Sequence, residues 1–247
     1  MPLGFPNSWV ATHVINGFYN KFKPKEWDTY HIAMLSTSPP NILQTLNKPV
    51  KKLEELKGLK LRATGRLGDI VKSLGTVPLP IETVNLYESL RRGVIDGAYL
   101  PLETFKGYRI GEVEKYATAS WKVGSVFAYY VIMNKQKWNS LPQDVKKTIT
   151  EFSQEFTERW AVEWNNIDVD GRKFFLSQGG RIVPVSDAES AKWVKALEPV
   201  IAQFKKELVS KGYKAAEVDS WFGYIRERVD YWKAQEKAKK IPTAYEY

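Results

Sequence analysis

Arg62 closes the short apolar stretch Leu59-Lys-Leu61 and stands directly before Ala63-Thr-Gly65. A guanidinium presents a planar fork of donors that fits a carboxylate bidentately, and the carboxyl ends of strands in open α/β sheets face the ligand crevice. An arginine placed there, followed by a glycine turn that brings the N–H groups around Thr64 close, is a candidate anchor for an organic anion. The other reading is structural, an ion pair with an acid such as Glu103. Spacing alone leaves the two open.

Other chemistries find less support. The 247 residues include no cysteine, hence no disulfide framework and no thiolate nucleophile. The two histidines, His13 and His31, stand apart, too isolated for a clustered zinc site, and each lies in an apolar setting that reads as structural. No G-x-G-x-x-G, G-x-x-x-x-G-K-[ST] or G-x-S-x-G pattern occurs, and Glu82 with Glu103 is the sort of carboxylate pair that a chain with 26% charged residues produces by accident. The expectation is a non-catalytic protein without cofactor or metal. A net charge of +9 raises the question of nucleic acid, but lysines and arginines are interspersed with acids, so no nucleic-acid partner is expected. No apolar run reaches the ~18 residues that span a bilayer.

These residues need elements to position them. Helical spacing predicts a helix over 9–22, then a strand over 29–36, a crossover that favours a parallel sheet. A βαβαβ series follows: strand 59–63, helix 66–74, strand 76–79, helix 83–91, strand 95–99. Residues 123–133 are nearly all apolar, as in a central strand buried on both faces. Ser140 to Gln143 reads as a capping box opening a helix to 177, roughly 50 Å long. A second box at Ser186 opens a helix through 208, after a short strand at 182–185, and a last helix covers 218–234, whose aromatics read as packing.

The motifs along this frame carry a resemblance. Leu56-Lys-Gly-Leu-Lys-Leu-Arg62, Leu74-Gly-Thr-Val-Pro-Leu-Pro80, Leu86-Tyr-Glu-Ser-Leu-Arg-Arg-Gly-Val-Ile-Asp-Gly97, Glu114-Lys-Tyr116, Val131-Ile-Met-Asn-Lys135 and Trp138-Asn-Ser-Leu-Pro142 occur in an order and spacing that resemble the solute-binding subunits of tripartite ATP-independent periplasmic (TRAP) transporters. The resemblance implies an α/β, two-lobed periplasmic-binding-protein-like fold with a long helix spanning both lobes, divided as 1–39 with 127–170 and 40–126 with 171–247. It implies that Arg62 forms a salt bridge with a substrate carboxylate, that the partners are a small organic acid and the membrane subunits of a transporter, and that the site of action is the periplasm. An enzyme or ligand-sensing domain on the same two-lobed fold is the alternative.

Departures from the family pattern refine the expected ligand. Ile42 stands where many members carry a second cleft arginine, Leu100, beside Tyr99, where they carry asparagine, and Thr83 where they often carry phenylalanine. Apolar walls cannot satisfy a second charge, so the expected ligand is a monocarboxylate with an apolar or aromatic tail. Trp121 is a candidate stacking face, and Glu103 a candidate to hydrogen-bond the ligand or orient Arg62. Members begin with a secretion signal and several βα units. This chain opens on Met1-Pro-Leu-Gly-Phe-Pro6, with neither the basic nor the apolar region of a signal peptide, so the resemblance implies a chain truncated at its N-terminus, with an incomplete first lobe. The apolar sheet surface this would leave exposed makes a homodimer one expectation.

Overall fold

The computed structural model describes residues 1–245. Along the chain run α1 (Ser8–Phe22), β1 (Tyr30–Thr37), β2 (Ile42–Thr45), β3 (Lys60–Arg62), α2 (Arg66–Ser73), β4 (Val77–Leu79), α3 (Leu86–Arg91), β5 (Gly97–Leu100), α4 (Thr104–Gly107), β6 (Tyr116–Thr118), β7 (Ala128–Asn134), α5 (Lys135–Asn139), α6 (Gln143–Ser177), β8 (Arg181–Val183), α7 (Asp187–Ala196), α8 (Glu198–Ser210) and α9 (Ala215–Lys239). Among these residues no helix is long and apolar enough to cross a membrane.

Two sheets organise the elements, a two-stranded β1-β7 and a six-stranded sheet ordered β4-β3-β5-β2-β6-β8. The expected βαβαβ unit forms, with β3 parallel to both β4 and β5. Two strands of the larger sheet were not foreseen. β2 runs antiparallel between β5 and β6, and its four residues are all buried. Side chains alternate across a strand, which sends Leu43 and Tyr99 to a core with Leu61, Ile70 and Trp193, while Ile42 and Leu100 join Leu86, Phe105 and Phe175 on the opposite face.

Three expectations need correction. β1 pairs with β7 antiparallel, from Tyr30 opposite Asn134 to Thr37 opposite Ala128, because the chain leaves β1 for the larger sheet and comes back in the reverse direction. β7 is shorter than expected and not buried on both faces: Tyr130 is 57% and Val131 55% exposed, since among the described residues β1 is its one strand neighbour. Ser140 does not open α6. Its Oγ donates to the Lys137 carbonyl at 2.8 Å, closing α5, whose start Asn134 caps, and α6 begins at Pro142 without a side-chain cap. Ser186 does cap α7, accepting from the Glu189 N–H at 3.2 Å. That helix stops at Ala196, and α8 restarts with Pro199 in its first turn, where a proline costs no hydrogen bond.

The 35-residue α6 joins the two sheets. Near its middle, Glu158 accepts from Trp9 Nε1 at 2.8 Å and Asn165 Oδ1 accepts from the Trp9 N–H at 3.1 Å, fastening it to α1. Further on, Asp168 Oδ1 accepts from the Glu103 N–H at 2.9 Å and Phe175 stacks on Phe105 at 3.9 Å. Between these contacts Gly171 lies flat against the loop after β5, so close that a Cβ there would meet the Leu102 carbonyl and lie 2.6 Å from Glu103 Cα. α9, assigned with the larger lobe by the sequence division, packs along α1 through Val229, Ile225 and Trp232.

Gly171→Ala is expected to destabilise the protein by about 1–3 kcal/mol in urea denaturation, because backbone on both sides has to give way. Unchanged stability would mean that α6 does not seat on this loop.

Candidate functional site

The carboxyl ends of β3 and β5 open onto a cavity of about 140 Å³ lined by Arg62, Thr83, Leu86, Leu100, Pro101, Glu103, Thr104, Tyr108, Phe127 and Tyr129. Arg62, only 7% exposed, ends β3, and two hydrogen bonds aim its guanidinium: Nε donates to the Ile81 carbonyl at 3.0 Å and Nη2 to Thr83 Oγ1 at 3.4 Å. Burial lowers its pKa, partly offset by the field of Tyr108 and Glu82. A guanidinium stays protonated in such a setting. Among the described residues no carboxylate forms an ion pair with it. The structural alternative, a bridge to Glu103, is absent. A cation held out of water without a counter-charge is costly, and one that lines a cavity can recover that cost by binding an anion.

Glu103 enters the same cavity from the loop after β5. Desolvation pushes its carboxyl up to about 7. Its main chain is fixed by Asp168, while its side chain has neither a hydrogen bond nor an ion pair among the described residues. Leu100, Pro101 and Phe127 supply apolar wall, and Tyr108 and Tyr129 bring phenolic rings. Phe127 and Tyr129 come from the segment that forms β7 and the rest from around the larger sheet, so both sheets contribute to one cavity.

Of the eight residues singled out from sequence, Arg62, Thr83, Leu100 and Glu103 come together here. The other four lie outside the lining. Ile42, 1% exposed, is core, paired opposite Leu100 in the ladder. Tyr99 points to the other face of β5, where its hydroxyl donates to the Val123 carbonyl at 2.7 Å and burial raises its pKa. Trp121 packs in the same core as Ile42. Thr64 is half-buried, and its carbonyl accepts from Leu67 N–H at the start of α2. Tyr108 and Tyr129 were missed: neither stands next to a motif, and only the folded chain brings them opposite Arg62.

Three larger cavities lie elsewhere, of which the one between α8 and α9, about 440 Å³, has its Lys205 paired with Asp219 at 2.6 Å. Another, about 310 Å³, is lined by both histidines and Glu158, but its charges are already engaged: His13 Nε2 is 3.0 Å from Glu158 Oε2, and His31 stacks on Trp138 at 3.4 Å. The third, about 300 Å³, is walled by apolar side chains such as Phe5, Phe18 and Trp27. None of the three places a guanidinium at a strand end with hydrogen bonds aiming it, which is why the smaller cavity is the stronger candidate.

Comparison with known proteins shows the family and the fold. The family model described as bacterial extracellular solute-binding protein, family 7, matches residues 1–207. The C4-dicarboxylate-binding periplasmic protein DctP of Vibrio cholerae is 26% identical over 172 residues, 69% of this chain and 51% of that protein. A TRAP periplasmic solute-binding protein from Desulfovibrio salexigens, solved as an open complex with the C-terminus of a symmetry mate in its ligand-binding site, is 30% identical, with a TM-score of 0.83 over 92% of this chain and 70% of that one. A marine metagenome TRAP solute-binding protein specific for aromatic acids, at 20% identity and a TM-score of 0.82 over 94% of this chain and 73% of that one, shares the two-lobed fold. The chain spans about half the length of the curated relatives it matches.

The raised carboxyl of Glu103 gives the cavity a pH signature. A group whose proton is held more tightly folded than unfolded favours the folded state at low pH, and that contribution is lost as pH climbs from the ordinary carboxylate range to about 7. Comparing the wild type with Glu103→Gln by urea denaturation at pH 5 and pH 8, the wild type is expected to lose about 1–3 kcal/mol more than the variant over that interval. Parallel pH profiles would place Glu103 in open solvent.

Proposed function

From the premise that the chain belongs to the bacterial extracellular solute-binding proteins of family 7, we propose that it captures an organic monocarboxylate with an apolar or aromatic tail and presents it to the membrane subunits of a TRAP transporter. The observation that carries this reading is Arg62: a buried guanidinium, aimed by Ile81 and Thr83, that meets no carboxylate among the described residues and lines a cavity. The ligand's carboxylate supplies the missing charge in a bidentate pair. Leu100, Pro101 and Phe127 then surround its tail, which they can cover but not solvate.

The mechanism is binding and closure, with no covalent step. The cavity draws on both sheets, so a ligand bridging Arg62 and the Phe127–Tyr129 side favours the lobes drawn together, the lobes being 1–39 with 127–170 and 40–126 with 171–247, save that α9 packs along α1 of the first. Acting outside the cytoplasm, in the periplasm, the closed form is what the membrane subunits meet. Relatives of similar fold, described with bound benzoate or mandelate, support an acid of this size, and the symmetry-mate C-terminus in the Desulfovibrio protein is a carboxylate in such a site. The Vibrio relative's name points to a dicarboxylate, but a second charge here would face apolar side chains and the carboxyl of Glu103.

Thermal-shift measurements with benzoate, phenylacetate, mandelate and succinate test the reading. An aromatic monocarboxylate at about 100 times its dissociation constant is expected to stabilise the protein by about 2.7 kcal/mol, with succinate well behind. Arg62→Ala abolishes the shift, and Arg62→Lys, which keeps the charge but not the fork, retains only part of it. An undiminished shift in Arg62→Ala would remove the anchor from the account.

A further inference from the structure

The Arg62 cavity holds a second polar group with nothing to bind. Of its other hydrogen-bonding side chains, Arg62 is engaged through Nε and Nη2, Thr83 as acceptor and Thr104 through its Oγ1, which donates to the Pro101 carbonyl at 2.6 Å, while the Tyr108 and Tyr129 hydroxyls line the same space. The carboxyl of Glu103 has no such partner among the described residues. It cannot be drawn out of the cavity by a small backbone shift either. Its N–H is held by Asp168 at 2.9 Å, its carbonyl accepts from the N–H groups of Lys106 and Gly107 as α4 begins, and Gly171 of α6 is pressed against its Cα.

We propose that Glu103 is the specificity-determining residue of this cavity and selects carboxylates that carry a hydrogen-bond donor, a hydroxyl or an ammonium, on the body of the molecule. The inference rests on the reading of Arg62 as the carboxylate anchor and adds the opposite half of the recognition. An acid with a purely apolar tail would shield Glu103 from water and offer nothing in return, and an unsatisfied polar group in such a place is penalised. An acid with a donor satisfies both ends. A dicarboxylate brings a second negative charge towards the apolar wall and, above about pH 7, towards a carboxylate of the same sign. A volume of about 140 Å³ is close to that of an engineered cavity of ~150 Å³ that admits benzene, so the space limits the body of the ligand to about one ring, with its polar groups at the edges.

Glu103 also sits close enough to Tyr129 for its charge to raise the phenol's pKa, behind burial, and Asp168 feels the same field. Tyr129, with Tyr108, Thr83, Thr104 and Arg62, makes up the polar lining in which a ligand donor would approach it, and Asp168 lies outside that lining, on the Glu103 N–H. With its own proton held to about 7, the carboxyl can meet a hydroxyl in either protonation state and an ammonium as the anion.

Calorimetric titration of the full chain with matched acids tests the proposal: 3-hydroxyphenylacetate against phenylacetate for a neutral donor, and phenylglycine against phenylacetate for a cationic one. The wild type is expected to prefer at least one donor-bearing acid by roughly tenfold or more, and Glu103→Ala to bring that ratio to about one while phenylacetate still binds. Glu103→Leu repeats the comparison in case truncation unsettles the start of α4. Whichever donor is preferred identifies the ligand class. Affinities within about twofold for all three acids in the wild type, or a preference that survives in both variants, overturns the role of Glu103 and leaves the Arg62 anchor standing. Failure of every acid to bind overturns the anchor and this inference together.

Discussion

The seating of α6 on the loop after β5 is the contact on which the arrangement depends. One helix, about 50 Å long, is fastened to α1 through Glu158 and Asn165 and to the larger sheet through Asp168, Gly171 and Phe175. Because Gly171 has no side chain, helix backbone and loop backbone meet directly, and Asp168 satisfies the Glu103 N–H that this close approach would otherwise leave dry. The loop that carries Glu103 is therefore fixed in height above the sheet and in distance from β7. With a side chain at 171 the two sheets would still form, but the cavity between them would be differently shaped.

On that frame the site is a matter of incomplete electrostatics. Arg62 is removed from water by the fold and only partly compensated, by the field of Tyr108 and Glu82, and Glu103 faces the same space with a carboxyl that burial has made reluctant to ionise. Folding tolerates a few such groups where a ligand will later supply their partners. On the proposed reading, the difference between the two cavity ends, a fixed cation and a carboxyl of adjustable charge, would orient an incoming acid before any closure occurs. The +9 net charge of the chain adds a general attraction for anions, but direction comes from Arg62.

Much of the fold was legible in the sequence because it is local. The βαβαβ run from Lys60 to Leu100, the 35-residue α6 and the Ser186 cap follow from periodicity and capping chemistry. What failed depends on distant partners. The residues around Val131 read as doubly buried because composition records what a strand can bury and not what neighbours it has. β2 was invisible as a strand, four residues long and flanked by proline-rich text, so Ile42 was taken for a cleft residue when its place in the ladder makes it core. Tyr99 and Leu100 were placed together by adjacency, whereas the two-residue period of β5 sends them to opposite faces. Arg62 was singled out by its place at a strand end and by the family resemblance, while Tyr108 and Tyr129, which line the same cavity, escaped because a tyrosine's role depends on what the fold sets across from it.

The central claim is that Arg62 is held ready for a carboxylate. A crystal structure of the chain with benzoate or phenylacetate bound tests it most directly. The ligand's two oxygens are expected about 2.7–2.9 Å from guanidinium nitrogens of Arg62, with the ring against Leu100 and Phe127. An acid bound elsewhere, as in the cavity beside His13 and His31, with Arg62 still unpaired, would contradict it.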